Sequence, residues 1–301
     1  MNKTQKIRVI LMYAIIYNPL SGGFNSNTLN GLQALLENRG HSCKLMPTQY
    51  AGHATELARK CAEDNVEAII SYGGDGTTYE VLNGMAESGV TLLIAPSGTG
   101  NDLIRTLGLP RDTLKALEIQ LDCAPCKMDA VSVNDRWHVN VSGMGPDVLV
   151  LREYERLRSR MFGSLAYRLA ILLAIGKFKP EKVRMSLDGS PMQLTPYTFL
   201  SFGNGRYFGG GMKCLPFADP FDGKIDVLYI TPISRLFICC ILPIFFSGKH
   251  TGLKPVKYMH AKSIVLDADE PFWMQLDGEL YQTQHAEIKI HPSLLNMRLP
   301  R

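Results

Sequence analysis

The chain of 301 residues is long enough for one or two domains with a sizeable core. Hydrophobic residues make up 46% and charged residues 20%, which is typical of a globular protein and excludes a disordered one. The net charge of +4 is too small to indicate nucleic-acid binding, although it would help binding to an anionic membrane.

The first part of the chain alternates between strand and helix patterns. Apolar runs predict strands over 7–17, 41–46, 66–72 and 90–95, and apolar spacing predicts helices near 29–36 and 54–61. The first run follows Lys3, Lys6 and Arg8, as in a signal peptide. It contains two tyrosines and leads into Asn18-Pro19, so we interpret it as a buried strand.

Two further helix starts are predicted from capping residues. Thr77 and Glu80 have the spacing of a capping box, which places a helix start at residue 77. Thr99 and Asp102 form a second, weaker cap. With the strands, this pattern predicts a three-layer α/β domain with a mostly parallel sheet.

The second part of the chain is rich in short strand patterns. They cover 130–133, 138–141, 183–187, 197–202, 225–230, 261–266 and 286–290, and a helical stretch covers 152–175. We therefore expect an α/β domain over 1–125 and a C-terminal β-rich, sandwich-like domain over 126–301. The last ten or so residues could return to the first domain.

Three glycine-rich loops follow predicted strands. They cover 18–23, 73–77 and 96–102, and the second, Gly-Gly-Asp-Gly-Thr, is the strongest signal. Glycines at a strand-to-helix turn expose amides to phosphate. Asp75 would repel phosphate unless a metal ion or hydroxyl lay between them, so it points to a metal-linked role. Ligands bind beyond the carboxyl ends of parallel strands, so we expect the loops to converge on one crevice.

Several enzyme classes lack their signatures here. There is no Gly-x-x-x-x-Gly-Lys-Ser/Thr, no Gly-x-Gly-x-x-Gly after the first strand, no protein-kinase signature set and no His-Glu-x-x-His. These absences argue against a P-loop enzyme, a classical dinucleotide fold and a zinc protease.

The ordered motifs resemble the diacylglycerol kinase catalytic-domain family, which includes sphingosine and ceramide kinases and compact bacterial lipid kinases. The resemblance spans essentially the whole chain. Beyond the three loops it rests on Asn140-x-x-Gly143-x-Gly145-x-Asp147, Phe202-Gly203-Asn204 with Gly209–Gly211, Pro216-x-Ala218, Asp222-Gly223-x-x-Asp226 and Asp277-Gly278-Glu279.

The resemblance implies a role for each motif. The ATP contacts would be Asn18, Ser21, Gly22, Thr48, Gly73, Gly74, Asp75, Gly76, Thr77 and Thr99. Asp222, with carbonyls near Asp219 and Lys224, would hold a structural Mg²⁺, which Asp75, Asp102 and Asp129 would join through water. Asp277 or Glu279 would be the general base, with Asp75 as the next candidate. From the residues alone, Asp222-Gly223 and Asp277-Gly278 predict only turns.

The implied activity is ATP- and Mg²⁺-dependent phosphorylation of a lipid hydroxyl by a cytoplasmic protein at the inner face of the membrane. Diacylglycerol, phosphatidylglycerol, a sphingoid base and a polyprenol all stay open as acceptors, as does a homodimer. An NAD kinase and a non-catalytic lipid- or nucleotide-binding regulator are the alternatives. Pro146 and Val148 depart from the family pattern, which weakens the argument for a substrate role of Asp147.

The longest apolar stretch, 236–246, contains Pro243 and is too short to span a bilayer. With Arg235, Lys249 and Lys254 nearby, it predicts peripheral membrane contact. Packing as a core helix of the second domain is the equal alternative.

Overall fold

The computed structural model describes residues 11–157 and 163–300. Residues 7–10 of the predicted first strand and residues 158–162 of the predicted helical stretch lie outside the described residues. The elements in chain order are β1 (Met12–Tyr17), α1 (Ser26–Asn38), β2 (Ser42–Pro47), α2 (His53–Glu63), β3 (Ala68–Gly73), α3 (Asp75–Met85), β4 (Thr91–Pro96), α4 (Asp102–Thr106), α5 (Thr113–Asp122), β5 (Pro125–Val133), β6 (Arg136–His138), β7 (Val141–Met144), α6 (Pro146–Leu157), α7 (Gly163–Lys177), β8 (Glu181–Leu187), β9 (Gln193–Tyr197), β10 (Phe199–Gly203), β11 (Ile225–Ile230), α8 (Arg235–Ser247), β12 (Val256–Ala261), β13 (Ser263–Leu276) and β14 (Glu279–Arg298).

The chain forms two compact units. The first unit contains residues 11–98, 109–126 and 295–300, and the second contains residues 99–108 and 127–294. Residues 99–108 and 295–300 thus belong to a different unit from the residues that precede them in the chain. Helix α4 lies in the second unit, although it is the next element after β4 of the first unit.

The first unit is built on a parallel sheet in the order β2-β1-β3-β4. The end of β14 joins β4 in the same direction, with Asn296 opposite Thr91. All six residues of β3 are buried, as its mostly apolar sequence predicts for a strand covered on both faces. Leucines of α1 at helical spacing, Leu29, Leu32 and Leu36, complete the core on one side. The predicted α/β fold with parallel strands is confirmed.

The capping box predicted at Thr77 is wrong. Helix α3 begins two residues earlier, at Asp75, with Gly74 as its N-cap. Glu80 instead accepts hydrogen bonds from the amides of Gly52 (2.9 Å) and Ala54 (3.1 Å), so it caps the start of α2. Gly52 has no side chain to cap that helix itself, and the carboxylate of a neighbouring helix takes that role.

The cap predicted from Thr99 is wrong as well. The N-cap of α4 is Asn101, which has a positive φ of 50° and makes no side-chain cap bond. The helix is a short one, Asp102–Thr106, and Asp102 starts it.

The second unit is mostly antiparallel. Its strands run in the order β12-β11-β10-β7-β13-β14, with β8 and β9 extending from β13, and β5 and β6 pairing beside β14. Register is regular over most pairs, with a bulge in the long β13–β14 hairpin between Asp267 and Phe272. The predicted β-rich C-terminal domain is confirmed.

Element boundaries in the second unit differ from the predicted ones in several places. The predicted strand over 138–141 is two strands, β6 and β7, because Val139 and Asn140 form a bend between them. The predicted strand over 197–202 begins at Phe199, since Tyr197 ends the preceding β9. The predicted strand over 261–266 begins at Ser263 and is the start of the long β13. The predicted helical stretch over 152–175 contains parts of two helices, α6 and α7, in its described portions.

Helix α8 packs one face into the core of the second unit. Ile241 and Phe245 lie in a cluster with Phe199, Leu215 and Leu228. The ring of Phe245 also stacks on that of His250, with 3.9 Å between the centroids. None of the helices in the described part of the chain is long and apolar enough to cross a membrane.

Candidate active site

The three glycine-rich loops of the first unit follow adjacent strands and contact one another. Tyr17 lies opposite Tyr72, and Gly73 lies opposite Pro96, so β1, β3 and β4 end at the same edge of the sheet. The amide of Ser97 donates a 2.8 Å hydrogen bond to the carbonyl of Gly73. The predicted convergence of these loops is therefore confirmed within this unit.

Three glycines in these loops, Gly23, Gly73 and Gly74, are required by close packing. A Cβ at Gly23 would collide with the carbonyl of Ser97, and a Cβ at Gly73 would collide with the side chain of Thr77. A Cβ at Gly74 would lie 3.2 Å from the Cα of Gly98, which is tighter than an ordinary contact. Only glycine lets the three loops approach so closely while keeping their backbones exposed.

The first loop is held in one conformation. The Asn18 side chain accepts from the Leu20 amide at 2.9 Å, and the Ser21 amide donates to the Asn18 carbonyl at 3.2 Å. The Tyr72 hydroxyl bonds both the amide and the carbonyl of Asn25, at 3.0 and 3.1 Å. A rigid loop loses little entropy when it binds a ligand.

Two other predicted ATP contacts lie at this edge. The Thr48 amide donates to the Tyr17 carbonyl at 2.8 Å, so Thr48 lies just beyond β2 beside the start of the first loop. Gly22 is exposed, and a Cβ there would meet no atom within 4 Å.

The start of α3 is suited to bind an anion. Its N-cap is Gly74, so no cap side chain competes with a ligand for the first amides of the helix. In contrast, α1 is capped by Asn25, which accepts from the amides of Asn27 and Thr28. The N-terminus of α3 therefore combines exposed amides with the positive end of a helix dipole, as phosphate sites do. Gly76 and Thr77 follow in its first turn and are partly buried.

In the second unit, Asp277 lies in the tight turn between β13 and β14. It has a positive φ of 50°, and Gly278 has a φ of 96°, which is the conformation of a two-residue hairpin with an Asp-Gly turn. The Asp277 carboxylate accepts from the amides of Val139 (2.9 Å) and Asn140 (3.0 Å). Both its oxygens are therefore engaged in holding the bend between β6 and β7.

A network of buried polar groups supports this turn. Gln275 accepts from the Gly278 amide at 2.8 Å and donates to the Val141 carbonyl at 3.2 Å. Ser142 bonds both the Asp277 amide, at 3.3 Å, and the ring of His138, at 3.0 Å. The Asn140–Gly145 and Asp277–Glu279 motifs are thus joined in space, although the sequence separates them by more than 130 residues.

Glu279 is the first residue of β14 and differs sharply from Asp277. Its side chain is exposed, whereas the Asp277 side chain is nearly buried. The two acids therefore have different environments, one engaged by backbone amides and the other open to solvent.

Comparison with known proteins gives the family. Residues 12–133 match the diacylglycerol kinase catalytic domain, and residues 140–299 match the YegS C-terminal NAD kinase beta sandwich-like domain. The chain is 31% identical to a diacylglycerol kinase of Mycobacterium tuberculosis, over 94% of both chains. The chain belongs to the diacylglycerol kinase family. A diacylglycerol kinase of Bacillus subtilis is also 31% identical, over 88% of both chains.

A solved structure supports the fold. A crystal structure attributed to a diacylglycerol kinase from Bacillus anthracis superposes with a TM-score of 0.78, covering 96% of this chain and 97% of that one. Its sequence identity is 24%, so this likeness concerns the fold alone. The predicted family is thereby confirmed by sequence and the predicted architecture by structure.

Two further acids, Asp102 and Asp129, accept hydrogen bonds from backbone amides. Asp102 accepts from the Gly210 amide at 2.7 Å, which ties α4 to the Gly209–Gly211 turn. Asp129 accepts from the amides of Gly223 and Ser293, each at 2.7 Å. Thr99 is exposed just before α4. These contacts show how acids far apart in sequence anchor the glycine turns of the second unit.

The predicted metal turn is compact and rich in oxygen. The Asp219 side chain accepts from the Phe221 amide at 3.1 Å, and that of Asp222 accepts from the Lys224 amide at 3.0 Å. Across residues 11–157 and 163–300, no three His, Cys, Asp or Glu side chains converge as metal ligands. A single carboxylate with nearby carbonyls nevertheless fits Mg²⁺, which prefers oxygen and retains several waters.

Asp147 is the residue whose environment the sequence did not predict. Both carboxylate oxygens are inaccessible to solvent, and within the described residues neither has a hydrogen bond of normal geometry. Burial raises the pKa of Asp147 to about 7, opposed by the amide of Val148 and the side chain of Gln275. The motif that ends at Asp147 marked this residue in the sequence. Nothing in the sequence indicated that its carboxylate would be buried at the start of α6.

Proposed function

We propose that this protein is an ATP- and Mg²⁺-dependent kinase that transfers the γ-phosphate of ATP to the hydroxyl group of a membrane lipid, with diacylglycerol as the leading acceptor. The observation that carries the proposal is the 31% identity, over 94% of both chains, to a protein named diacylglycerol kinase. The converging glycine loops support the same proposal, because phosphate binding needs exposed amides at a helix start.

The ATP phosphates bind to the amides of the three loops in this proposal. Gly73 ends β3 and is buried, Gly74 and Gly76 lie partly exposed around the start of α3, and Thr77 adds a hydroxyl donor. Asn18, Ser21, Gly22 and Thr48 complete the nucleotide site in the first unit. Phosphoryl transfer depends mainly on positioning the phosphates and on stabilising their charge. Loops that already have the binding conformation before ATP arrives favour both.

Glu279 acts as the general base in this proposal. A base must accept the proton of the lipid hydroxyl, so its carboxylate has to be reachable by substrate. Glu279 is exposed and can be reached by substrate, whereas the side chain of Asp277 is nearly buried. Asp277 is better suited to hold the turn and thereby position Glu279. Asp75, partly buried at the start of α3, is the candidate base if neither acid serves.

The Asp219–Lys224 turn would hold a structural Mg²⁺ through the carboxylate of Asp222 and the carbonyls of Asp219 and Lys224. Asp102 and Asp129, in the same unit, would reach it through water. Bound there, the ion would supply positive charge that steadies the surrounding acids. Lipid and ATP meet at the inner face of the cytoplasmic membrane, which is the location we propose.

The test is transfer of radiolabelled phosphate from ATP to a panel of detergent-dispersed lipids by the purified protein. Diacylglycerol, phosphatidylglycerol, a sphingoid base and a polyprenol are compared in parallel, with NAD as a soluble acceptor. Labelled phosphatidic acid, formed from diacylglycerol, supports the proposal. Labelled NADP as the only product would instead assign an NAD kinase, and nucleotide binding without any transfer would assign a regulator.

A further inference from the structure

Helix α8 is apolar on both of its faces. Ile238, Ile241 and Phe245 are buried, whereas Leu236 is 76% exposed and Phe246 is 56% exposed. Leu236, Cys239, Pro243 and Phe246 share the outward face at helical spacing and are all exposed. A surface helix of a globular domain normally carries polar residues on this face, so the apolar face of α8 requires another explanation.

Helix α7 contacts α8 and adds to this surface. Ala166, Ala170 and Ala174 are its buried face. On the outward side, Leu165 is 53% exposed and Leu172 is 68% exposed. The Arg235 guanidinium at the start of α8 donates a 2.9 Å hydrogen bond to the carbonyl of Phe178, just after α7, and so joins the two helices. We call the exposed residues of both helices the α7–α8 surface.

The charged residues within α7 and α8 and beside them in the chain are basic, and one of them, Lys177, is paired with Glu153 of α6 at 2.7 Å. Between residues 164 and 180 the charged residues are Arg168, Lys177 and Lys179, and no acid occurs. Between residues 227 and 266 the charged residues are Arg235, Lys249, Lys254, Lys257 and Lys262, again without an acid. Arg168 and Lys179 are exposed, as are Lys249 and Lys254. A mainly basic border around exposed apolar residues complements an anionic lipid surface.

A second copy of the chain is a poorer occupant. In a twofold contact the surface would meet itself, and the cations of one copy would lie near those of the other. An anionic bilayer offers both an apolar interior for the leucines and phenylalanine and negative headgroups for the lysines.

We propose that the α7–α8 surface docks the protein on an anionic membrane, with the outward faces of both helices inserted at the headgroup boundary. The inference deepens the proposed function, because a lipid kinase must reach an acceptor that resides in the bilayer. Docking itself needs no ATP and no turnover, so it can be measured separately from activity.

The experiment is flotation of the full-length protein with vesicles of phosphatidylcholine, alone or with phosphatidylglycerol. Leu236→Asp/Phe246→Asp places charges on two exposed positions and spares the buried Phe245. The control, Met192→Asp/Leu194→Asp, alters side chains that are 43% and 63% exposed near β9. Circular dichroism and thermal melts establish that each variant is folded.

We expect the wild type and the control to float with phosphatidylglycerol vesicles, less so at high salt. Leu236→Asp/Phe246→Asp should lower the bound fraction at least about tenfold, because charged groups do not enter the apolar region of the interface. Lys249→Glu/Lys254→Glu should lower binding to vesicles that contain phosphatidylglycerol by about tenfold or more. Binding to vesicles of phosphatidylcholine alone should not fall.

Equal flotation of the wild type and Leu236→Asp/Phe246→Asp would overturn the proposal. Absence of wild-type binding, together with a dimer that this variant converts to a monomer, would also overturn it and assign the surface to a second copy. If the variant loses flotation but still phosphorylates detergent-dispersed lipid, docking is supported independently. If the wild type floats but phosphorylates no lipid, the proposed function fails while docking stands.

Discussion

Replacing Glu279 by glutamine removes the carboxylate that we propose as the general base and leaves the side chain almost unchanged in size. Because the side chain is exposed, its loss should have little effect on stability. Removing a general base lowers the rate by about 10²–10⁴-fold. ATP affinity should be retained, since binding depends on the glycine loops rather than on this residue.

Asp277→Asn is the matched comparison because it removes a neighbouring carboxylate with a different environment. The wild-type oxygens accept from the amides of Val139 and Asn140 at 2.9 and 3.0 Å. An asparagine can accept only through its single oxygen, so one amide is left facing an NH₂ group. Losing a hydrogen bond to a charged group costs about 1.5–3 kcal/mol, which should appear as a lower melting temperature.

The assay combines initial rates of lipid phosphorylation, ATP binding and thermal melts on the wild type and both variants. We expect Glu279→Gln to lose turnover with an unchanged melt, and Asp277→Asn to lose stability in addition to some turnover. If Glu279→Gln keeps near-normal turnover on a lipid that the wild type phosphorylates, the assignment of the base is refuted. Asp75 then becomes the residue to replace.

Three further predictions concern other parts of the chain. Gly74→Val should weaken ATP binding in a fluorescent-nucleotide titration, because its Cβ would lie 3.2 Å from the Cα of Gly98 and its methyl groups would enter the phosphate cradle; undiminished affinity would show that the nucleotide binds elsewhere. Asp222→Ala should abolish stabilisation of the protein by Mg²⁺ in thermal melts without nucleotide, whereas an identical Mg²⁺ response in both proteins would remove the metal from this turn. For Asp147, burial raises the pKa from 3.8 to about 7, so the folded state binds a proton that the unfolded chain has already released above pH 4. Stability should therefore fall as the pH rises from about 4 to 7, by on the order of 4 kcal/mol, and Asp147→Asn should flatten this dependence in urea melts; equal slopes for both proteins would contradict the burial argument.

The sequence predicted those features that local patterns encode. A run of apolar residues such as that in β3 indicates a strand of a parallel sheet. Both faces of such a strand are covered, so its residues do not alternate between apolar and polar. Glycine-rich turns after these runs then place a binding edge at the carboxyl ends of the strands. Both features depend on residues that are adjacent in the chain.

Features that depend on distant partners were not predictable. Glu80 has the spacing of a local cap, yet its carboxylate binds the amides of Gly52 and Ala54, which the fold brings to it. Asp277 predicts a turn, but its oxygens are engaged by amides that precede it by more than 130 residues. Likewise, composition could not show that Phe245 faces the core of the second unit while Phe246 faces solvent.

The most direct test of the central claim is label transfer from radioactive ATP to diacylglycerol, with Mg²⁺ present, by wild-type protein and by Glu279→Gln. The account predicts labelled phosphatidic acid from the wild type and a yield at least about 10²-fold lower from the variant. Equal labelling by the two proteins would contradict the proposed base. No labelled lipid from the wild type, across the whole acceptor panel, would contradict the proposed activity itself.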